Sequence, residues 1–345
     1  MNKASLSFNF FLNSLSIHQA PLIKKLSEKN KVTIYYDNDI SARRKKLGWN
    51  IPDFGCAKLI KLDLLKINIQ ELKKRNVVNI YSGINSYENI NHCLNLIAPL
   101  SDSKNLVQME SIDCSGFKGL LRKIKYIFLS KKYNKHIYAY LCQGSGSQYA
   151  NLGFKNTYDF AYFLDAPIDN CFIENNVCRF IYLGSLSRNK QILEVASELK
   201  NSKIHLDIYG AELDVSVEKL EAKIHDSRRI KYKGVANYDD IPALLKNYDY
   251  LILPSKAEGW GAVISEALLS GVGVVVTDSA GIINYIHSKV EHKVYVYNFG
   301  EMTELPEFLS KLVPLTIQDR KKISGQAYCL SSNYGENLFH HILKE

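Results

Sequence analysis

No apolar run in this 345-residue sequence reaches the roughly 18 residues that a membrane-spanning helix needs. Paired cysteines are missing too. Cys56, Cys93, Cys114, Cys142, Cys171, Cys178 and Cys329 are odd in number and scattered, with no C-x-x-C among them. This argues against a disulfide framework or a zinc site, and for a reducing, cytosolic compartment. No G-x-G-x-x-G occurs: "GSGS" at 144–147 lacks the spacing, follows a late strand and reads as a loop. Internal repeats and low-complexity segments are absent, which excludes a repeat array. The opening "MNKASLSFNFFLNSL" is apolar but holds one lysine and no small-residue cleavage pattern, so it reads as a first strand and not a signal peptide.

What is present is an ordinary globular balance, 46% hydrophobic and 23% charged, in a chain long enough for two domains. The charge is uneven. Residues 1–165 hold 24 Lys and Arg against 12 Asp and Glu; the rest hold 20 against 23, and the whole carries +9. A basic half points to an anionic partner: nucleic acid, a membrane surface, or a phosphorylated or acidic substrate.

Short apolar runs alternate with helical patterns throughout. Strands are expected at 5–11, 31–37, 58–63, 77–83, 106–110, 137–142 and 160–165. In the second half they are expected at 179–184, 204–210, 230–234, 250–255, 273–278 and 293–298. Helices such as 189–200 and 239–248 lie between. The alternation predicts an α/β protein of two Rossmann-like, doubly wound domains facing a cleft. The expected divisions are residues 1–166, 167–318 and a helical segment, 319–345, returning to the first domain, with "APIDN" (166–170) as linker. In such sheets ligands bind beyond the carboxyl ends of the strands.

"PSKAEGWGAVISEALLSGVGVVVTD" (254–278) fits that position. "YLILPS" ends a strand. Gly259 and Gly261 permit a sharp turn and close backbone approach. A helix starting near Gly261 offers free N–H groups, those of Ala262 and Val263 among them, to a phosphate or pyrophosphate, with Trp260 in the loop. Glu266, about a turn and a half into the helix, can accept two hydrogen bonds from a ribose diol, and Glu258 can hold sugar hydroxyls.

These residues resemble the signature of glycosyltransferase family 4, retaining enzymes of the GT-B fold. The likeness extends through "YLGSLSRNKQILEVASEL" (182–199), "IHLDIYGAE", "IKYKGVAN" and "YDDIPALLKNYDYLILPS", and covers about 178–290. It implies Glu266 on the nucleotide ribose, Glu258 on the donor sugar, and Lys190 with Arg188 on the diphosphate, near Gly184 and Ser185. Ser185 stands where an arginine often follows the glycine, and Gln191 where a glycine follows the lysine. The loop after the first strand, "LNSLSIHQAP" (12–21), lacks the family's Gly-Gly. The resemblance implies a nucleotide-sugar donor, UDP most commonly, and a glycan or lipid-linked acceptor in polysaccharide or lipopolysaccharide synthesis. No cofactor and no metal are expected.

On the acceptor side the candidates are Ser16, His18 and Gln19 after the first strand, and Glu110, with Asp113 nearby, at the end of another. His18 can assist the reaction; a carboxylate can steady a developing oxocarbenium ion. Asp37-Asn38-Asp39 resembles a metal-binding D-x-D but follows only the second strand, and no metal is expected there. "FKGLLRKIKYIFLSKK" (117–132) sets Leu120, Leu121, Ile124, Ile127 and Phe128 on one stripe and Lys118, Arg122, Lys125 and Lys132 on another. It suits an anionic membrane surface, with "SARRKK" (41–46) adding charge. This predicts a cytoplasmic enzyme, peripheral on the inner face of the plasma membrane, with no nucleic-acid partner. A sugar-nucleotide epimerase, a basic nucleic-acid-binding protein and an inactive scaffold remain as alternatives.

Overall fold

The computed structural model describes residues 6–40, 50–167, 171–300 and 302–344. The basic stretch 41–46 and most of the expected linker 166–170 lie outside these. The described chain divides into two compact units: residues up to 163 with those from 332 onward, and residues 164–331.

The first unit is built on a seven-stranded parallel sheet. Its strands are β1 (Ser7–Ser14), β2 (Lys31–Asn38), β3 (Lys58–Lys61), β4 (Val77–Ser82), β5 (Lys104–Met109), β6 (Ala139–Gln143) and β7 (Thr157–Phe160). They lie in the order β3-β2-β1-β4-β5-β6-β7. Helices α1 (Ala20–Ser27), α2 (Ile69–Leu72), α3 (Glu88–Ile97), α4 (Gly116–Tyr133) and α5 (Gly146–Asn151) connect them. Central strands such as β1 are covered on both faces, so Phe8, Phe10 and Phe11 are all buried. One polar ladder crosses this core. Asn9, Asn79 and Asn105 stand in register on β1, β4 and β5. The Asn79 amide donates to Leu72 O, Ser103 Oγ and Asn105 Oδ1 and accepts from Asn9.

One strand differs from expectation. The apolar run 160–165 is not β7, which ends at Phe160. Phe163 instead packs edge-on against Phe160 and supports a later helix, so its hydrophobicity serves a connection rather than a ladder.

The second unit is a six-stranded parallel sheet: β8 (Arg179–Leu183), β9 (His205–Tyr209), β10 (Ile230–Tyr232), β11 (Tyr250–Leu253), β12 (Gly273–Val276) and β13 (Val294–Val296), ordered β10-β9-β8-β11-β12-β13. Its helices are α6 (Ile192–Leu199), α7 (Val217–Ile224), α8 (Ile241–Leu245), α9 (Ala262–Leu269), α10 (Gly281–Ile286), α11 (Leu305–Ser310) and α12 (Ile317–Gln326). The expected helix 189–200 is interrupted: Gln191, at φ +50, separates a short turn at 188–190 from α6.

The segment after 318 is shared between the units. Helix α12 stays with the second because Arg320, fully buried, pairs with Asp249 at 2.8 Å and donates to Tyr248 O. Helix α13 (Ser332–Ile342) belongs to the first, where Glu336 pairs with Lys29 and Phe339 packs on Phe8 and Phe160.

Both sheets reverse their strand order at one place, between β1 and β4 and between β8 and β11. Outside the carboxyl ends of such a pair the flanking loops diverge and leave a crevice. Those ends carry most of the candidate residues.

Candidate functional site

In the second unit the loops after β8 and β11 meet. The turn after β8 is tight: a Cβ on Gly210 would fall 1.8 Å from the Gly184 carbonyl oxygen, so only glycine fits. Ser187 caps the next turn by accepting from Lys190 N at 3.3 Å. Asn189 then fastens this loop to the one after β11. Its side chain donates to Ala257 O at 2.8 Å and accepts from Ala257 N at 3.2 Å, while its carbonyl accepts from Lys256 N. With the loops fixed, the Lys190 ammonium contacts the Glu258 carboxylate, which also accepts from the Ser255 hydroxyl at 3.2 Å. Both charged side chains are mostly buried, at 16% and 19% exposure.

Gly261, at φ +87, opens α9, a backbone state that costs other residues more. Gly281 lies so near that a Cβ on it would come 2.1 Å from Gly259 O. The first amides of α9, at Ala262 and Val263, therefore sit beside the Lys190–Glu258 pair at a glycine-lined start. Glu266, on the same helix, is half-buried. Burial pushes its carboxyl up to about 7. Its charge in turn helps raise the Tyr238 phenol, although burial is the larger cause there.

The site residues expected in this unit thus fall on the two loops and one helix, with two departures. Trp260 turns inward: its indole is 5% exposed, lies 5.8 Å from the Tyr285 ring and donates to Ser265 Oγ. Its side chain anchors the loop and does not line its surface. Arg188 is exposed, and what is fixed is its backbone, whose N–H donates to Asp214. Ser185 holds its loop by accepting the Tyr182 hydroxyl on its carbonyl. Asn189 and Tyr238 escaped the sequence reading. A polar residue between Arg188 and Lys190 carries no signal of its own, and Tyr238 lies far from Glu266 along the chain.

The first unit gathers its own candidates beyond β1, β5 and β6. Ser16 Oγ accepts from His18 N at 3.3 Å and shapes the entry to α1. Gln19 donates to Gln108 at 3.0 Å. The His18 ring lies 5.6 Å from the ring of Tyr162, whose hydroxyl donates to Glu110 at 3.4 Å. Burial first, then Glu110, pushes the Tyr162 phenol up to about 12. Tyr162 was hidden because its segment reads as a strand. Asp113 lies apart, accepting from Ser115 ahead of α4. Asp37 and Asp39 take separate partners, Asn89 and Lys61. Among the described residues no three His, Cys, Asp or Glu gather as metal ligands.

Helix α4 sends Tyr126, Leu129 and Tyr133 inward. Its other apolar stripe faces out, with Phe117 75% and Phe128 65% exposed and Leu120, Leu121, Ile124 and Ile127 also exposed. No helix of the described residues is long and apolar enough to cross a membrane.

Two doubly wound α/β units, one holding a cation–carboxylate pair at a glycine-lined helix start, make up an architecture of the GT-B type. Residues 173–328 match the family glycosyl transferases group 1. A Campylobacter jejuni relative, N,N'-diacetylbacillosaminyl-diphospho-undecaprenol alpha-1,3-N-acetylgalactosaminyltransferase, is 28% identical over 152 residues. That match covers 43% of this chain and 38% of the relative's length. Among solved structures, Anabaena HepE in complex with UDP aligns with a TM-score of 0.70 at 14% identity, over 98% of this chain and all of its own. HepE in complex with UDP-glucose aligns at 0.65, with 14% identity over 98% and 99% of the chains. A Rickettsia africae glycosyltransferase aligns at 0.68 and 15% identity, over 99% and 100%.

Proposed function

We propose that the protein is a retaining, metal-independent glycosyltransferase that moves a sugar from a UDP-sugar to a glycan or lipid-linked acceptor in cell-surface polysaccharide or lipopolysaccharide synthesis. The observation that carries this reading is the Lys190–Glu258 pair held beside the start of α9 at the switch between β8 and β11, with Glu266 half-buried on the same helix. Glu266 takes the ribose hydroxyls and Glu258 the donor sugar. Lys190, Arg188 and the amides following Gly261 receive the diphosphate, whose charge grows as the glycosidic bond breaks. Fixed cations and dipoles aimed at a developing charge supply a large part of the rate enhancement in such reactions. HepE's capture of UDP and UDP-glucose favours uridine as the donor base. The Campylobacter relative acts on a diphospho-undecaprenol, which favours a lipid-linked acceptor. His18 and Glu110, joined through Tyr162, serve that acceptor.

A lipid-linked acceptor also gives α4 a purpose. Exposed phenylalanines and leucines interleaved with lysines suit the headgroup region of an anionic bilayer, which supports peripheral attachment to the inner face of the plasma membrane.

The test is thermal stabilisation by UDP-, GDP-, CMP- and ADP-sugars, with chelator present, for the natural protein and Glu266→Ala. A rise with a UDP-sugar that the variant lacks is expected. No rise with any donor would overturn the reading.

A further inference from the structure

The opposite end of the second sheet holds a feature that sugar transfer does not use. Arg179 begins β8 and pairs in register with His205, which begins β9; Asp207 pairs with Lys231 on the edge strand β10. Paired residues of parallel strands point to the same face, so Arg179, His205, Asp207 and Lys231 share one face, and Arg229 and Lys233 continue it. Together with Tyr248 they line a cavity of about 140 Å³.

The cavity has a built floor. Tyr248, 2% exposed, donates its hydroxyl to Asp207 at 2.7 Å. The Arg179 guanidinium lies over the Tyr248 ring at 4.9 Å and donates to Asp207 at 3.4 Å. Asp207 is therefore engaged from both sides. Arg229, Lys231 and Lys233 remain exposed around the rim, each two residues from the next along one strand edge. Four permanent cations thus face one carboxylate, in the half of the chain whose overall charge is negative. Like charges gathered on one concave surface repel one another, and an anion bound among them removes that repulsion. The imidazole registers the same field. Burial first, then Arg229 and Arg179, holds His205 below its usual value, with Asp207 acting in the other direction.

We propose that this cavity binds a phosphate-bearing anion, with Arg179 fixed by Tyr248 and Asp207 as its planar donor and Arg229, Lys231 and Lys233 as its rim. Its lining begins at the amino ends of β8 and β9 and runs along the β9–β10 edge to Lys233, whereas Lys190, Glu258 and Glu266 follow the carboxyl ends of β8 and β11. The site is therefore separate from the donor site and does not depend on the donor reading. Guanidinium recognises phosphate through two parallel hydrogen bonds, which a bare lysine surface does not supply.

The experiment follows the His205 ring-proton resonance by NMR, assigned with His205→Gln, while inorganic pyrophosphate is added to the full chain free of nucleotide. The resonance should shift and its titration should move to higher pH, because a bound anion reverses the influence of the surrounding cations. The double variant Arg229→Gln/Lys231→Gln alters exposed side chains and should melt as the natural protein does, yet bind pyrophosphate about ten-fold or more weakly. A second arm uses phosphatidylcholine vesicles with and without phosphatidate. Phosphatidate-dependent binding that the double variant loses assigns a lipid headgroup as the source of the phosphate. A response to pyrophosphate alone assigns a soluble one. An unmoved His205 resonance in both arms, or unchanged affinity in the double variant, overturns the proposal.

Discussion

Glu266 combines two demands on one carboxylate. Its place on α9 suits a diol, yet burial raises its proton affinity to about 7. The native state then holds the proton more tightly than the unfolded chain, in which a glutamate titrates near 4.5. Stability is greatest below that value and falls as pH rises toward 7. Replacing Glu266 with Gln removes the burial of a charge. The variant should match the natural protein at pH 4.5 and exceed it by on the order of 2 kcal/mol at pH 8. Thermal melts at the two pH values read this directly; an equal difference at both would show that the site is well solvated. Lys190 makes a different contribution. Lys190→Ala should fold normally and lower kcat/KM by about 10²–10³-fold, since a fixed cation at the leaving group is lost. Steady-state kinetics with a UDP-sugar measure it, and a loss confined to KM would assign Lys190 to uniform substrate binding instead.

At the scale of elements, the asparagine ladder across β1, β4 and β5 holds register. A one-residue slip would turn three amides to the other face and leave them unpaired. Asn79→Leu keeps the branched shape but removes a partner from Asn9, Ser103, Asn105 and the Leu72 carbonyl, so it should cost about 2–4 kcal/mol in urea denaturation. Helix α4 is an element with two apolar faces, only one of them satisfied by the fold. Leu121→Glu with Phe128→Glu should leave stability nearly unchanged while abolishing sedimentation with vesicles containing anionic lipid. Retained binding would show that charge elsewhere in the basic half carries the attraction.

At the scale of the whole molecule, the chain builds its first unit from both ends of the sequence. Phe339 lies buried against Phe8 and Phe160, and Gly335 sits so close to Phe163 that a Cβ would come within 2.6 Å of the ring. A chain ended after Ser331 would expose those aromatics. Losing even one buried phenylalanine typically costs about 3–5 kcal/mol. Calorimetry should therefore find the first unit's transition lowered and the second unit's unmoved, because Arg320 and Asp249 both lie before the cut. Equal loss in both transitions would mean that the units unfold together.

By itself the sequence determined the element order, because strand and helix periods are local. Twelve of the thirteen strands were legible, and so was the Glu258–Glu266 block, whose glycines, proline and valine run lie within one short stretch. The course of 160–165 was not, since an apolar run reads the same whether it pairs in a ladder or pads a helix. Nor was the inward turn of Trp260, which is decided by Tyr285 twenty-five positions later. The tertiary structure alone decided which distant residues meet: Asn189 with Ala257, Tyr162 with His18 and Glu110, and Arg179 with Asp207 and Tyr248. Each of these contacts depends on strand order and side-chain direction. Those are set by packing sheets between helices, and no local pattern records them.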